Sequence, residues 1–244
     1  MDFLDAYIIR ARLFPAILAI SPFIALVAIT VSWNTLSLPQ AITTVAIGVL
    51  FFAFADLARR LGKYTEKDLF RATGGVPSST LLMHSDKTFD PATQKRYRKF
   101  IEELIGEKAP SKQSEEKDPK SAQHYYIRAG NWLRENTRNH DDFRLLFEEN
   151  ITYGFRRNLY GIKWPALALN VLVLVACGVI LYLNKFSIAT LMQVQMVGAF
   201  AAVHALYFLV VVSRKGVIAA SDQYGRQLIL CSEALAKRPA QKKK

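Results

Sequence analysis

Ionisable side chains are almost missing from four stretches of this 244-residue chain, and only two cysteines, Cys177 and Cys231, occur in all of it. Two cysteines so placed make neither a disulfide framework nor a zinc-ligand set, and both read as packing residues. Paired carboxylates, metal-ligand spacings and nucleophile–base pairs are also lacking above background. No enzymatic chemistry finds strong residue support, and no cofactor and no metal are expected. The glycine and hydroxyl run Gly74-Gly75-Val76-Pro77-Ser78-Ser79-Thr80 is not a Walker loop, because the lysine and the spacing are wrong, although its backbone N–H groups could cradle an anion.

The four uncharged stretches are long and apolar, at about 14–33, 39–57, 164–183 and 192–213. A helix needs about 20 apolar residues to cross a bilayer, and all but the second reach that length without borrowing a charged residue. The second extends to Asp56 and Leu57 and is the shortest. The first is longer than a signal-peptide core and is followed by another apolar run, so it reads as a retained helix. A buried soluble helix keeps a polar face, which these runs lack.

Lysine and arginine set the orientation, because cations flanking a span stay on the cytoplasmic side. The two outer turns hold only Lys185, whereas Arg59, Arg60, Lys63, Arg156, Arg157, Lys163, Arg214 and Lys215 flank the other ends. The expected fold is an all-α membrane protein in which two transmembrane hairpins, residues 1–58 and 164–213, bracket a small, mostly helical cytoplasmic domain, 59–163. A cytoplasmic amphipathic helix and basic tail, 214–244, follow, both termini lie in the cytoplasm, and the membrane is a bacterial inner membrane. Residues 2–13 alternate apolar and charged side chains and suit an interfacial helix.

Most of the formal charge of +12 falls on the inner side, where 57–163 holds 21 Lys/Arg against 15 Asp/Glu and 213–244 holds 8 against 2. Membrane lipids are one anionic partner; a nucleotide or short oligonucleotide is another. Asp90-Pro91 and Asp118-Pro119 are helix starts, a capping side chain followed by a preset φ. Residues 78–83 read as extended and 107–120 as a flexible loop. Charge interleaved with aromatics, which can bind phosphates and stack bases, makes Lys95, Arg96, Arg98 and Lys99 one candidate anion site and Arg128, Arg134 and Arg138 with Tyr126 and Trp132 another. Within the membrane Thr43, Thr44, Asn170, Gln195 and His204 are the candidate pore or gate residues. His204 has a second reading, an imidazole hydrogen-bonded between helices.

Two stretches carry a resemblance: Gly74 to Leu82 running on to Phe89-Asp90-Pro91-Ala92-Thr93-Gln94-Lys95-Arg96-Tyr97, and Phe147-Glu148-Glu149-Asn150-Ile151-Thr152-Tyr153-Gly154-Phe155-Arg156-Arg157-Asn158-Leu159. They resemble uncharacterised bacterial membrane proteins. With its two hairpins around a cytoplasmic domain, the chain also resembles the four-transmembrane effectors of nucleotidyltransferase-linked anti-phage systems, CBASS-like or Hailong-like. That resemblance implies a homo-oligomeric channel or pore gated by a nucleotide or oligonucleotide, with a nucleotidyltransferase encoded nearby. Arg134 and His140 resemble the Arg-x(4–6)-His signature of HEPN ribonucleases, which implies a membrane-tethered nuclease as the alternative. A non-enzymatic scaffold binding anionic lipid and a partner protein is the third reading.

Overall fold

The computed structural model describes residues 6–30, 40–72 and 74–237, with the side chains of 40–47, 50 and 72 outside the description. Among the described residues every element is helical. The short strand expected after Gly75 is instead a single helical turn, α3 (Pro77–Thr80), begun by Pro77 at the first helical position. α1 (Phe14–Thr30) and α2 (Gln40–Ala72) precede the inner segment, and α8 (Lys163–Leu183) and α9 (Ile188–Val210) follow it.

Among the described residues three helices are long and apolar enough to cross a membrane: Ile8–Thr30, which includes α1, α8 (Lys163–Leu183) and α9 (Ile188–Val210). Their exposure says which solvent they suit. Only 28% of the most apolar window of α8 or α9 is buried, and Val171, Leu172, Val175, Met196, Val203 and Val210 are largely exposed. Such apolar faces belong in hydrocarbon or against other apolar helices, and the chain is a membrane protein. The first of these helices begins as a π-helix, Ile8–Leu13, continuous with α1, so the opening residues run directly into the apolar helix.

The described chain divides into two compact units, Met1–Lys67 with Gly154–Val217, and Asp68–Tyr153 with Ile218–Lys244. Within the first unit, two buried layers succeed each other along the helices. One joins Ala19, Ala58, Leu159, Ile162, Ala166, Phe208 and Val212; the other joins Leu26, Val173, Cys177, Val194, Val197 and Ala201. The first layer continues into a polar seam. Arg157, almost wholly buried, pairs with Glu66 at 2.9 Å, and its Nε and Nη2 donate to Asn158 Oδ1. Asn158 Nδ2 in turn donates to the Ala11 carbonyl at 2.7 Å. On the same seam α2 meets α7 (Arg144–Gly161) backbone to backbone, since a Cβ on Gly161 would overlap Gly62.

The second unit is built on the two predicted caps. Asp90 accepts from Ala92 N and Thr93 N to start α4 (Pro91–Ile105), and the Thr93 hydroxyl and amide hold its carboxyl below the usual aspartate range. Asp118 accepts from Ser121 N to start α6 (Pro119–Asn136). These helices bury Tyr97, Ile101, Tyr125, Tyr126, Ala129 and Leu133 with Leu228, Ile229 and Cys231 of α10 (Arg214–Ala236). The α3 turn is buried against α10, where a Cβ on Gly225 would stand 2.9 Å from the Pro77 side chain. The segment read as a flexible loop contains a short helix. Ser111 caps α5 (Lys112–Lys117) by accepting from Ser114 N, and Glu115, buried, bonds at both carboxylate oxygens. Sequence composition suggested disorder because the segment is polar, but its one inward carboxylate finds two donors.

A cationic cleft as the candidate functional site

The N-terminal half of α4, the turn before it and residues 109–111 enclose a cleft of about 980 Å³ in the second unit. A single amide shapes the turn: Gln94 Nε2 donates to the Met83 carbonyl at 2.7 Å, with the Leu81 and Asp86 carbonyls at 3.4 Å. The opposite wall is stitched by Ala109 N donating to Glu102 Oε1 at 2.8 Å and His84 Nε2 donating to the Pro110 carbonyl at 3.2 Å. Glu115 then clips the wall from behind, accepting from His84 N at 2.8 Å and from the Tyr126 hydroxyl at 3.2 Å. Burial, reinforced by the Glu115 charge, pushes the Tyr126 hydroxyl up to about 12, so it stays a donor.

Four cations line the cleft, Lys87, Lys95, Arg98 and Lys99, against three carboxylates, Asp86, Asp90 and Glu102. The carboxylates are engaged by backbone amides: Asp90 by its capping bonds, Asp86 by Thr88 N, and Glu102 by Ala109 N. The cations are less satisfied. Lys99 reaches Glu103 only at 3.9 Å, and among the described residues no ion pair is recorded for Lys87, Lys95 or Arg98. Arg98 is 9% exposed and donates from Nη2 to Gln94 Oε1 at 2.6 Å. Its Nη1 is buried with no hydrogen-bond partner, a costly state for a charged donor.

Lys95, Arg98 and Lys99 therefore share one site. Arg96 does not; it lies over the Tyr97 ring at 5.4 Å and 4.0 Å from Glu233. The α6 cluster is not brought together either. Arg128 pairs with Glu107 at 2.7 Å, Arg134 bonds Ser78 Oγ at 3.3 Å and Asn131, and Arg138 pairs with Glu135 at 2.7 Å. Helical pitch is one reason, since six residues place Arg134 about 120° around the axis from Arg128. Tyr126 is wholly buried and packs in the core, so it cannot stack a base, and Trp132 packs partly buried against the same core. His140 stacks on Phe147 at 3.8 Å, and Ser79 N and Thr80 N donate to the Val76 carbonyl, so those two amides of the glycine and hydroxyl loop are already used. Glu115, Gln94 and His84 were missed by sequence reasoning. Only the tertiary fold reveals which backbone groups they reach.

In the membrane unit His204 and Asn170 are buried together. The Leu18 carbonyl, which would accept from residue 22 in an unbroken helix, faces a proline there and accepts from His204 Nε2 at 2.7 Å and from Ser21 Oγ at 3.0 Å. His204 Nδ1 then accepts from Asn170 Nδ2 at 2.9 Å. This is the interhelical reading of His204, joining α1, α8 and α9. Gln195 is exposed on α9, while the side chains of Thr43 and Thr44 lie outside the described residues. Among the described residues no cluster of His, Cys, Asp or Glu could hold a metal. No protein-family model, curated protein or solved structure matches the chain.

Proposed function

We propose that the chain is a non-enzymatic, homo-oligomeric effector of a bacterial inner membrane, a channel or pore gated by a nucleotide-class ligand held in the second unit. One observation carries this reading: a chain with three bilayer-length apolar helices also holds a cleft whose central guanidinium is buried with an unused donor. The anti-phage setting, with a nucleotidyltransferase encoded nearby supplying the ligand, rests on the sequence resemblance alone.

Four crossings in two hairpins, with both termini cytoplasmic, are part of the proposal. Supporting them, Ala11, Glu66, Arg157 and Asn158 share one seam of the membrane unit, and Lys163 donates to the Leu209 and Val212 carbonyls at the end of α9. The other layer holds Leu26 with Cys177 and Val194. A chain that leaves the seam along α1 must return before Ala58, and the first half of α2 supplies that return. The flanking cations Arg59, Arg60, Arg156 and Arg157 support a cytoplasmic side for the seam.

Two hairpins cannot enclose water alone, so several copies are required, lined by faces that one copy leaves exposed. The α9 face bearing Gln195 is the proposed lining, with Thr43 and Thr44 of α2; Asn170 and His204, spent on each other and on Leu18, hold the helices behind it. The purified chain in liposomes tests this directly. Addition of adenosine monophosphate or a cyclic dinucleotide is expected to change dye or ion flux, and Gln195→Leu to alter conductance. Flux equal to that of empty liposomes under every ligand removes the channel reading.

A further inference from the structure

We infer that the cleft on α4 takes a small phosphate ester with one or two phosphoryl groups on a nucleotide-sized body, and that Arg98 anchors the phosphate. The inference rests on the reading of the second unit as a ligand sensor and specifies its ligand. Charge along α4 is ordered: Asp90 stands at its start, Lys95, Arg98 and Lys99 follow within about 6 Å of axial rise, and Glu102 comes one turn later. The cationic band is therefore short, with a carboxylate at each end.

A band of that length accommodates one phosphate or two adjacent ones. A third phosphate, or the next links of a nucleic acid chain, would lie against Asp90 or Glu102 and be repelled. Hydroxyl or amino groups of a sugar and base instead meet those carboxylates as donors, since each retains accepting capacity beyond its amide bond. Size points the same way, because about 980 Å³ far exceeds inorganic phosphate and falls within the range of sites for compact organic ligands. At the floor, Nη1 of Arg98 makes no hydrogen bond and is shut off from solvent, beside the Tyr126 hydroxyl, so the guanidinium must turn toward the cleft to meet a phosphate oxygen, the acceptor its fork suits best. Phe89 and Pro91 add apolar surface beside the band.

The same phosphate ester could be a soluble nucleotide or a lipid headgroup, and calorimetry on the full chain in nanodiscs of neutral lipid distinguishes them. Adenosine monophosphate is expected to bind, inorganic phosphate at least tenfold more weakly, and adenosine triphosphate and octathymidylate at least tenfold more weakly than the monophosphate. Arg98→Met should weaken monophosphate binding more than tenfold. Should that variant melt at a lower temperature, the exposed pair Lys95→Gln with Lys99→Gln, expected to cost about tenfold, decides the matter. Arg128→Gln, remote and paired with Glu107, should bind as the parent does. Asp90→Asn keeps the helix cap and should narrow the gap between triphosphate and monophosphate.

Monophosphate binding that persists in anionic nanodiscs assigns the site to a soluble ester, and binding abolished there assigns it to lipid headgroups. Phosphate binding without monophosphate binding overturns the nucleotide-sized body. Tighter binding of triphosphate or octathymidylate, or undiminished binding by both lysine and arginine variants, overturns the site. Binding without flux leaves the site standing and removes the channel; ligand-dependent flux that survives Arg98→Met does the reverse.

Discussion

Tyr126 shows how a single buried hydroxyl sets the working range of the cleft wall. Its folded-state pKa of about 12 lies above the unfolded value near 10. Between those values the unfolded chain has released the proton and the folded chain has not, so stability must fall as pH rises from 10 to 12. Burial shifts Tyr125 upward too, so the contribution is isolated by difference. Tyr126→Phe is expected to cost about 1 to 2 kcal/mol at neutral pH, by orphaning a Glu115 oxygen, and to lose about 2 kcal/mol less than the parent over that alkaline window. Parallel losses in chemical unfolding curves of the two proteins would assign the alkaline transition elsewhere. At this scale the sequence was partly legible. Lys95, Arg98 and Lys99 stood out as a basic cluster, but nothing in their spacing distinguishes Arg98, whose importance comes from burial and from Gln94 being occupied at three carbonyls. The α6 arginines stood out equally and are individually paired.

Among the elements, long helices with side-chain caps were readable and short ones were not. The Asp90-Pro91 and Asp118-Pro119 starts carry their own hydrogen bonds, so local sequence suffices. The α3 and α5 turns lack an apolar period, and their order comes from what they touch: Pro77 against Gly225, and Glu115 against His84 and Tyr126. Contact between α2 and α7 was equally hidden, because two glycines a hundred residues apart carry no mark of being neighbours. Gly161→Ala forces the two backbones apart and is expected to cost about 1 to 3 kcal/mol. Gly62→Ala meets Asn158 and Arg157 on the same face of α7, and since either change separates α2 from α7, the double variant should cost less than the sum. Gly178, with open space around it, is the control, and alanine there should be neutral or stabilising by about 1 kcal/mol. Thermal unfolding of the four variants in one detergent measures all of this, and an unchanged melting temperature for Gly161→Ala would contradict the close approach.

For the whole molecule the decisive quantity is the parity of membrane crossings. Among the described residues three apolar helices are long enough to cross, and three crossings would put the termini on opposite sides. The first half of α2 carries no charge before Asp56, yet it is shorter, and its side chains through residue 47 lie outside the description. Hydropathy therefore leaves the count at three or four. Packing bears on it differently: the start of the first helix and the stretch from Ala58 to Glu66 both contact residues 157–162 of the membrane unit, which supports the even number of crossings that the proposed topology puts between them. Green fluorescent protein fused at either end should fluoresce in cells, whereas periplasmic alkaline phosphatase fused at either end should be inactive. Lys185→Cys, exposed in the α8–α9 turn, should react with a membrane-impermeant maleimide on cells whose cytoplasm is sealed, while the native Cys177 and Cys231, both buried, give no background. An active phosphatase at the N-terminus alone means three crossings, and then Ala11 and Asn158 could not share the seam that joins them.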